Sequence, residues 1–178
     1  MDSNYQIQEQ IDGVLNISKP SGATSMDIVR SIKSWTKQRR VGHGGTLDPL
    51  ATGVLPICIG KATRLMEYLV DSPKIYHTRL KLGVTTDTYD MDGEVTDTKD
   101  FSYVTQQMVE DVLGSFKGNL EQIPPMYSAL KHEGTRLYKL ARDGKEVDRP
   151  SRSVRIDSIV LSNWNPPFFE LQVQCGRG

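Results

Sequence analysis

Apolar side chains recur at helical spacing near the start of the chain. They are Met26, Ile28, Val29, Ile32 and Trp35. Thr24, followed by Asp27 three residues later, resembles a capping box, in which two side chains bond the first backbone amides of a helix. The pattern predicts an amphipathic helix that ends near residue 36, with Met26 and Trp35 in the hydrophobic core.

Other stretches alternate with the period of a β-strand. Tyr76, Thr78 and Leu80 lie on one face of a strand from Ile75 to Gly83, and a final strand alternates around Leu171. Strands and helices do not follow each other in a regular βαβ rhythm. The predicted fold class is therefore α+β, with a mixed, largely antiparallel sheet flanked by helices and long loops.

The stretch Gly42–Pro56 is too rich in glycine and proline for a helix and lacks strand alternation. Glycines permit positive φ angles and close backbone approach, and Pro49 restricts Asp48 to an extended conformation. His43 lies five residues before that aspartate, and the apolar run Val54–Ile59 follows the loop. The pattern predicts a rigid loop that presents one carboxylate.

Composition narrows the class of protein. A chain of 178 residues suggests one domain with a sizeable core, and no apolar run approaches the about 20 residues that span a membrane. The N-terminus lacks the basic and apolar regions of a signal peptide. Cys58 and Cys175 stand in apolar or strand-like contexts, which indicates reduced cysteines and a cytoplasmic protein.

Net charge is zero, yet the charges are unevenly distributed. Residues 28–47 contain no acid, and their basic residues are Arg30, Lys33, Lys37, Arg39 and Arg40. Residues 87–100 are mainly acidic, and basic residues lead again from 131 to 155. Such patches fit either a bound polyanion or ordinary solvated faces, and charge alone does not decide between them.

No metal or nucleotide motif is present in the sequence. The three histidines are scattered, without the spacing of a zinc site. The acidic loop Asp87–Gly93 resembles a calcium loop, but Thr88 takes the first ligand position and Lys99 the last, where a bidentate Glu is required. We expect neither a metal nor a cofactor.

The run Gly44–Pro56 resembles the signature of the TruB family, the pseudouridine synthases that modify the T loop of tRNA, and its ending is typical of bacterial members. Four other stretches resemble further motifs of the family: Leu15–Ser25, Lys74–Tyr76, Gly83–Asp90 and Pro124–Lys131. The resemblance covers nearly the whole chain and implies a pseudouridine-synthase-like fold.

The resemblance also implies an activity, the isomerisation of uridine to pseudouridine at position 55 of tRNA. Asp48 is the implied catalytic residue, with attack on the sugar and attack on the base both open. Tyr76 is implied to stack on the flipped base and His43 to support the flipped conformation. On residue patterns alone, Tyr76 also fits a core position in a strand, and His43 fits a loop cap.

The implied partner is the T stem-loop of tRNA, bound without an obligatory protein partner by a monomer. The implied phosphate contacts are basic residues: Lys19, Arg39, Arg40, Lys61, Lys131 and Arg142.

In the family, the final strand continues into a Thr-Tyr-Ile-Arg segment, whose arginine pairs with the catalytic aspartate. We therefore expect residues 1–178 to form a catalytic domain truncated at its C-terminus, with an insertion loop at about 121–152 and without the C-terminal RNA-binding domain. The final strand is expected to lack a neighbour. A second hypothesis follows, that the chain binds or folds tRNA without catalysis.

Overall fold

The computed structural model describes residues 10–177, and its chain contacts form two compact units, Met1–Ser72 and Pro73–Gly178. The first residues, on which the signal-peptide prediction depends, lie outside the described range. None of the helices formed by residues 10–177 has the length and hydropathy to span a bilayer.

The elements of the first unit are, in chain order, β1 (Gly13–Lys19), α1 (Ser25–Thr36), β2 (Val41–His43), β3 (Gly53–Ile59), a 3₁₀ helix (Gly60–Leu65) and α2 (Met66–Asp71). The strands form an antiparallel sheet in the order β1-β3-β2. Val29 and Ile32 of α1 pack in one buried cluster with Leu55, Ile57 and Ile59 of β3. The predicted helix is confirmed. The apolar run Val54–Ile59, which was expected to be buried, lies in β3, but Val54 at its start is 68% exposed.

The prediction that Met26 and Trp35 lie in this core is wrong. Met26 is 46% exposed and Trp35 is 78% exposed. At about 3.6 residues per turn, two residues nine positions apart point about 180° apart around a helix. The two side chains therefore flank the buried stripe of Val29 and Ile32 on opposite sides.

The elements of the second unit are β4 (Lys74–Lys81), β5 (Val84–Thr86), β6 (Val95–Thr98), α3 (Gln106–Leu113), a 3₁₀ turn (Gly114–Phe116), β7 (Gly118–Gln122), β8 (Lys131–His132), β9 (Thr135–Arg136), α4 (Leu137–Arg142), β10 (Arg152–Asn165) and β11 (Phe168–Cys175). An antiparallel sheet has the order β4-β11-β10-β7, and β5–β6 and β8–β9 are separate two-stranded pairs. The α+β prediction is confirmed.

The last strand has neighbours on both sides, which contradicts the expectation of an unpaired final strand. Phe169 and Leu171 of β11 are buried, whereas Glu170 between them forms an ion pair with Arg79 of β4 at 2.7 Å. Alternation along β11 therefore separates an apolar face from a charged face, as its sequence predicts.

Both cysteines are free thiols. Burial raises the pKa of Cys58, and burial is also the main cause that raises the pKa of Cys175. Thiols with a raised pKa stay protonated and unreactive near neutral pH, which agrees with the prediction of reduced cysteines.

Loss of the N-cap of α1 should weaken the first unit. The Thr24 hydroxyl accepts a hydrogen bond from the amide of Asp27 at 3.1 Å. We expect Thr24→Ala to lower the free energy of unfolding by about 1 kcal/mol, measured by urea denaturation. Ser31→Ala, at an exposed position in the middle of α1, should leave it unchanged or slightly higher, because Ala favours helices. Equal losses in both variants would contradict a specific cap.

The same cap should make stability depend on pH. Hydrogen bonds from the hydroxyl and then the amide of Thr24 hold the pKa of Asp27 below its ordinary value of 3.8. A lowered folded pKa stabilises the fold above the unfolded pKa, and this stabilisation disappears as the pH falls through the folded pKa. Asp27→Asn should therefore be less stable than the wild type at about pH 7, with a difference that shrinks toward about pH 2. A stability difference between Asp27→Asn and the wild type that does not change with pH would contradict a stabilising role of the Asp27 charge.

Candidate active site

The loop between β2 and β3 carries Asp48, and glycines allow its path. Gly53, where the loop enters β3, has a φ of +119°, which disfavours any side chain. A Cβ at Gly44 would lie 2.8 Å from the Cβ of Leu69 in α2, too close for any other residue. These two positions confirm the predicted roles of glycine in positive φ angles and close approach.

The backbone after Asp48 is held by a buried lysine. Lys19 is 1% exposed, and its ammonium donates to the carbonyls of Pro20 at 2.9 Å, Ala23 at 2.7 Å and Pro49 at 3.1 Å. The amide of Gly22 donates to the same Pro49 carbonyl at 2.8 Å. The chain is thus fixed one residue beyond the aspartate.

The backbone before Asp48 is held by a buried serine. Ser25, the first residue of α1, is 3% exposed. Its hydroxyl donates to the carbonyl of Leu47 at 3.0 Å and accepts from the Leu47 amide at 2.9 Å. We call the segment 19–25 the aspartate clamp, because it fixes the residues on both sides of Asp48.

The side chain of Asp48 itself is exposed. Within residues 10–177 its carboxylate has no hydrogen-bond or ion-pair partner, whereas its backbone carbonyl accepts from the amide of Ala51 at 3.1 Å. A fixed backbone combined with an accessible carboxylate is an arrangement suited to a nucleophile or a hydrogen-bond acceptor.

His43 lies at the end of β2, opposite Ile57 in β3, immediately before the loop. Its ring is half-buried, and its Nδ1 is buried without a hydrogen-bond partner in the described part of the chain. Unpaired buried polar atoms are rare in folded proteins and need an explanation such as a functional role. Because His43 is paired with Ile57 in the sheet, its ring projects from a strand rather than from a flexible loop.

Tyr76 belongs to β4 in the second unit, whereas His43 and Asp48 belong to the first. It is paired with Val173 in β11 and is 43% exposed. This exposure contradicts the alternative that Tyr76 is a core residue and leaves part of its ring accessible for stacking.

The predicted phosphate contacts fall into two groups. The exposed ones are Arg39, Arg40 and Lys61 in the first unit and Lys131 and Arg142 in the second. The proposed contact at Lys19 is corrected, because the buried ammonium already donates to three carbonyls and has no hydrogen left for a phosphate. Its role in the structure is to hold the aspartate loop.

Sequence reasoning missed the contribution of Ser25. The sequence places Ser25 at the start of a helix and at the end of the family-like stretch Leu15–Ser25, and neither pattern assigns it a contact. The bonds to Leu47 join residues 22 positions apart. A serine next to an N-cap can hydrogen-bond many different groups, so the local sequence pattern does not predict a contact this distant in the chain.

Residues 33–178 match the family described as TruB family pseudouridylate synthase, N-terminal domain. This match defines the class of protein as the pseudouridylate synthases. The chain belongs to the TruB family.

Similar proteins agree with this class. The chain is 51% identical over 168 residues to a tRNA pseudouridine synthase B of Dehalococcoides mccartyi strain BAV1, and 49% identical over 168 residues to one of Clostridium kluyveri. These matches cover 94% of this chain but only 56% and 58% of the relatives. The chain therefore spans a little over half the length of these curated relatives.

The fold is also similar to that of a chain in the crystal structure of a Cbf5-Nop10-Gar1 complex. The TM-score is 0.67 at 28% identity, and the match covers 93% of this chain and 40% of the other.

Removal of the Ser25 hydroxyl should loosen the aspartate loop. Ser25→Ala leaves the amide and the carbonyl of Leu47 without their partner, which should cost about 2 kcal/mol of unfolding free energy. Hydrogen exchange at the Leu47 amide should become faster. Ser21→Ala, at an exposed position of the same segment, should change neither quantity. Unchanged exchange at Leu47 in Ser25→Ala would rule out the clamp as the constraint on this loop.

Proposed function

We propose that this chain carries the reactive aspartate of a tRNA pseudouridine synthase, which converts uridine to pseudouridine at position 55 in the T loop. The observation that carries the proposal is Asp48, whose exposed carboxylate projects from a backbone held on both sides by buried side chains. Membership of the TruB family supports the reaction class.

The proposed reaction rearranges one nucleotide and adds no group. The bond between C1′ and N1 breaks, the uracil rotates, and a bond between C1′ and C5 forms. The C5 hydrogen leaves as a proton, N1 takes up a proton, and the transient bond to the nucleophile breaks to regenerate its carboxylate. Asp48 is the proposed nucleophile, attacking either the sugar or the base, and carboxylate nucleophiles at sugar carbons have chemical precedent.

The target uridine has to leave the RNA stack before it can reach a carboxylate on a protein loop. Extruding a base costs a few kcal/mol, which stacking and pocket contacts offset. We propose that Tyr76 stacks on the flipped base, supported by its exposure of 43%. We propose that His43 supports the flipped conformation, which its place at the end of β2, immediately before the loop that carries Asp48, supports.

Phosphate contacts are proposed at exposed basic residues, which are Arg39, Arg40, Lys61, Lys131 and Arg142. Lys61 lies 3.5 Å from Asp12 but its side chain remains 71% exposed, so a phosphate can compete for the ammonium. The guanidinium of Arg142 lies 5.6 Å from the ring centroid of Tyr138, and this contact helps to hold the exposed Arg142 side chain in place. We propose that a monomer binds the T stem-loop through these contacts.

The decisive variant is Asp48→Asn, which keeps the shape of the side chain and removes its charge. With a T stem-loop RNA tritiated at uracil C5, the wild-type chain should release tritium and Asp48→Asn should release none. RNA binding, measured by filter retention, should be largely retained. Glu67→Gln, at an exposed carboxylate of α2 in the same unit, is the matched control and should release tritium at the wild-type rate.

Continued turnover by Asp48→Asn would disprove the role of this residue. Binding by the wild-type chain without tritium release would instead support the second hypothesis, a chain that binds tRNA without catalysis.

A further inference from the structure

Trp35 is an exposed aromatic residue that the fold does not use. It lies one residue before the end of α1 and is 78% exposed. An indole contributes to stability when its large apolar surface is buried, and this one is left almost entirely in water. A surface tryptophan with no role in the core suggests a binding partner.

The surroundings of Trp35 in the chain are strongly basic. Lys37, Arg39 and Arg40 follow within five residues and are all exposed, and residues 28–47 contain no acid. In the described part of the chain these three cations form no ion pair, unlike Arg30 with Asp27 at 2.6 Å. We call these four residues the Trp35 surface.

The backbone holds this surface at a defined place. Lys37 has a φ of 55°, a left-handed conformation that ends α1, and the carbonyl of Arg40 accepts from the amide of Gly60 at 2.8 Å. Strand β2 begins at the next residue and ends at His43. Because a strand rises about 3.3 Å per residue, the Trp35 surface ends about 10 Å from His43.

We propose that the Trp35 surface binds single-stranded RNA, with the indole stacked on an unpaired base and the three cations on flanking phosphates. Aromatic rings stack on any exposed base, and basic side chains beside them follow the backbone. Charge favours RNA over an uncharged protein surface, since burial of three unpaired cations against such a surface would carry a desolvation cost. The inference rests on the proposed function and adds a contact outside the reacting nucleotide.

The chain contains two tryptophans, which permits a direct test. Trp164 lies in the second unit, with its ring 6.1 Å from that of Phe169. In a Trp164→Phe background, Trp35 is the only tryptophan. Titration with a T stem-loop RNA should quench its fluorescence, and the quenching should weaken as salt rises.

Affinity provides an independent measurement. Trp35→Ala should weaken binding of a fluorescently labelled T stem-loop, measured by anisotropy, by about 5- to 100-fold, and Trp35→Phe should restore most of it. Tyr68→Ala is the matched control, because Tyr68 is a 76% exposed aromatic residue of the same unit, next to Glu67 and three residues before Asp71. It should bind RNA like the wild type.

RNA binding without quenching, and with equal affinity in Trp35→Ala and Tyr68→Ala, would overturn the inference and leave the proposed function intact. Quenching by anionic phospholipid vesicles but not by RNA would overturn it in favour of a membrane surface. Quenching by RNA in a chain that releases no tritium would contradict the proposed catalysis alone. Absence of any RNA binding would contradict both.

Discussion

A buried lysine ammonium ties two distant segments of the first unit together. An ammonium removed from water is costly unless its hydrogens are bonded, and the Lys19 Nζ meets this need with three backbone carbonyls. Two of them belong to its own turn and the third belongs to Pro49, 30 residues away. The charge is therefore satisfied only when the turn and the aspartate loop are folded together.

Sheet pairing explains why these two segments meet. In the antiparallel register of β1 and β3, Lys19 is opposite Gly53, so the end of β1 lies beside the start of β3. The aspartate clamp leaves β1 at the same edge where the loop enters β3. A site built on such paired elements holds its side chain more closely than a free loop would. This is how a glycine-rich connection can present Asp48 from a defined backbone.

The wrong predictions from the sequence also have physical causes. Helical periodicity located α1 correctly but overestimated the width of its buried face, because Met26 and Trp35 flank a stripe set by contacts with Ile57 and its neighbours in β3. The exposed tryptophan belongs to the basic Trp35 surface. In the second unit, alternation identified β4 and β11, whereas the central position of β11 depends on pairing with β4 and β10.

Local patterns are enough to predict α1, β4, β11, the family resemblance and the loop that carries Asp48, because periodicity, capping residues and glycine–proline chemistry act over a few residues. Three features became visible only in the folded chain: Lys19 is internal, Ser25 holds Leu47, and Trp35 faces solvent. Each of these depends on which distant backbone groups approach a side chain. That approach is set by strand pairing and packing, which no local pattern encodes.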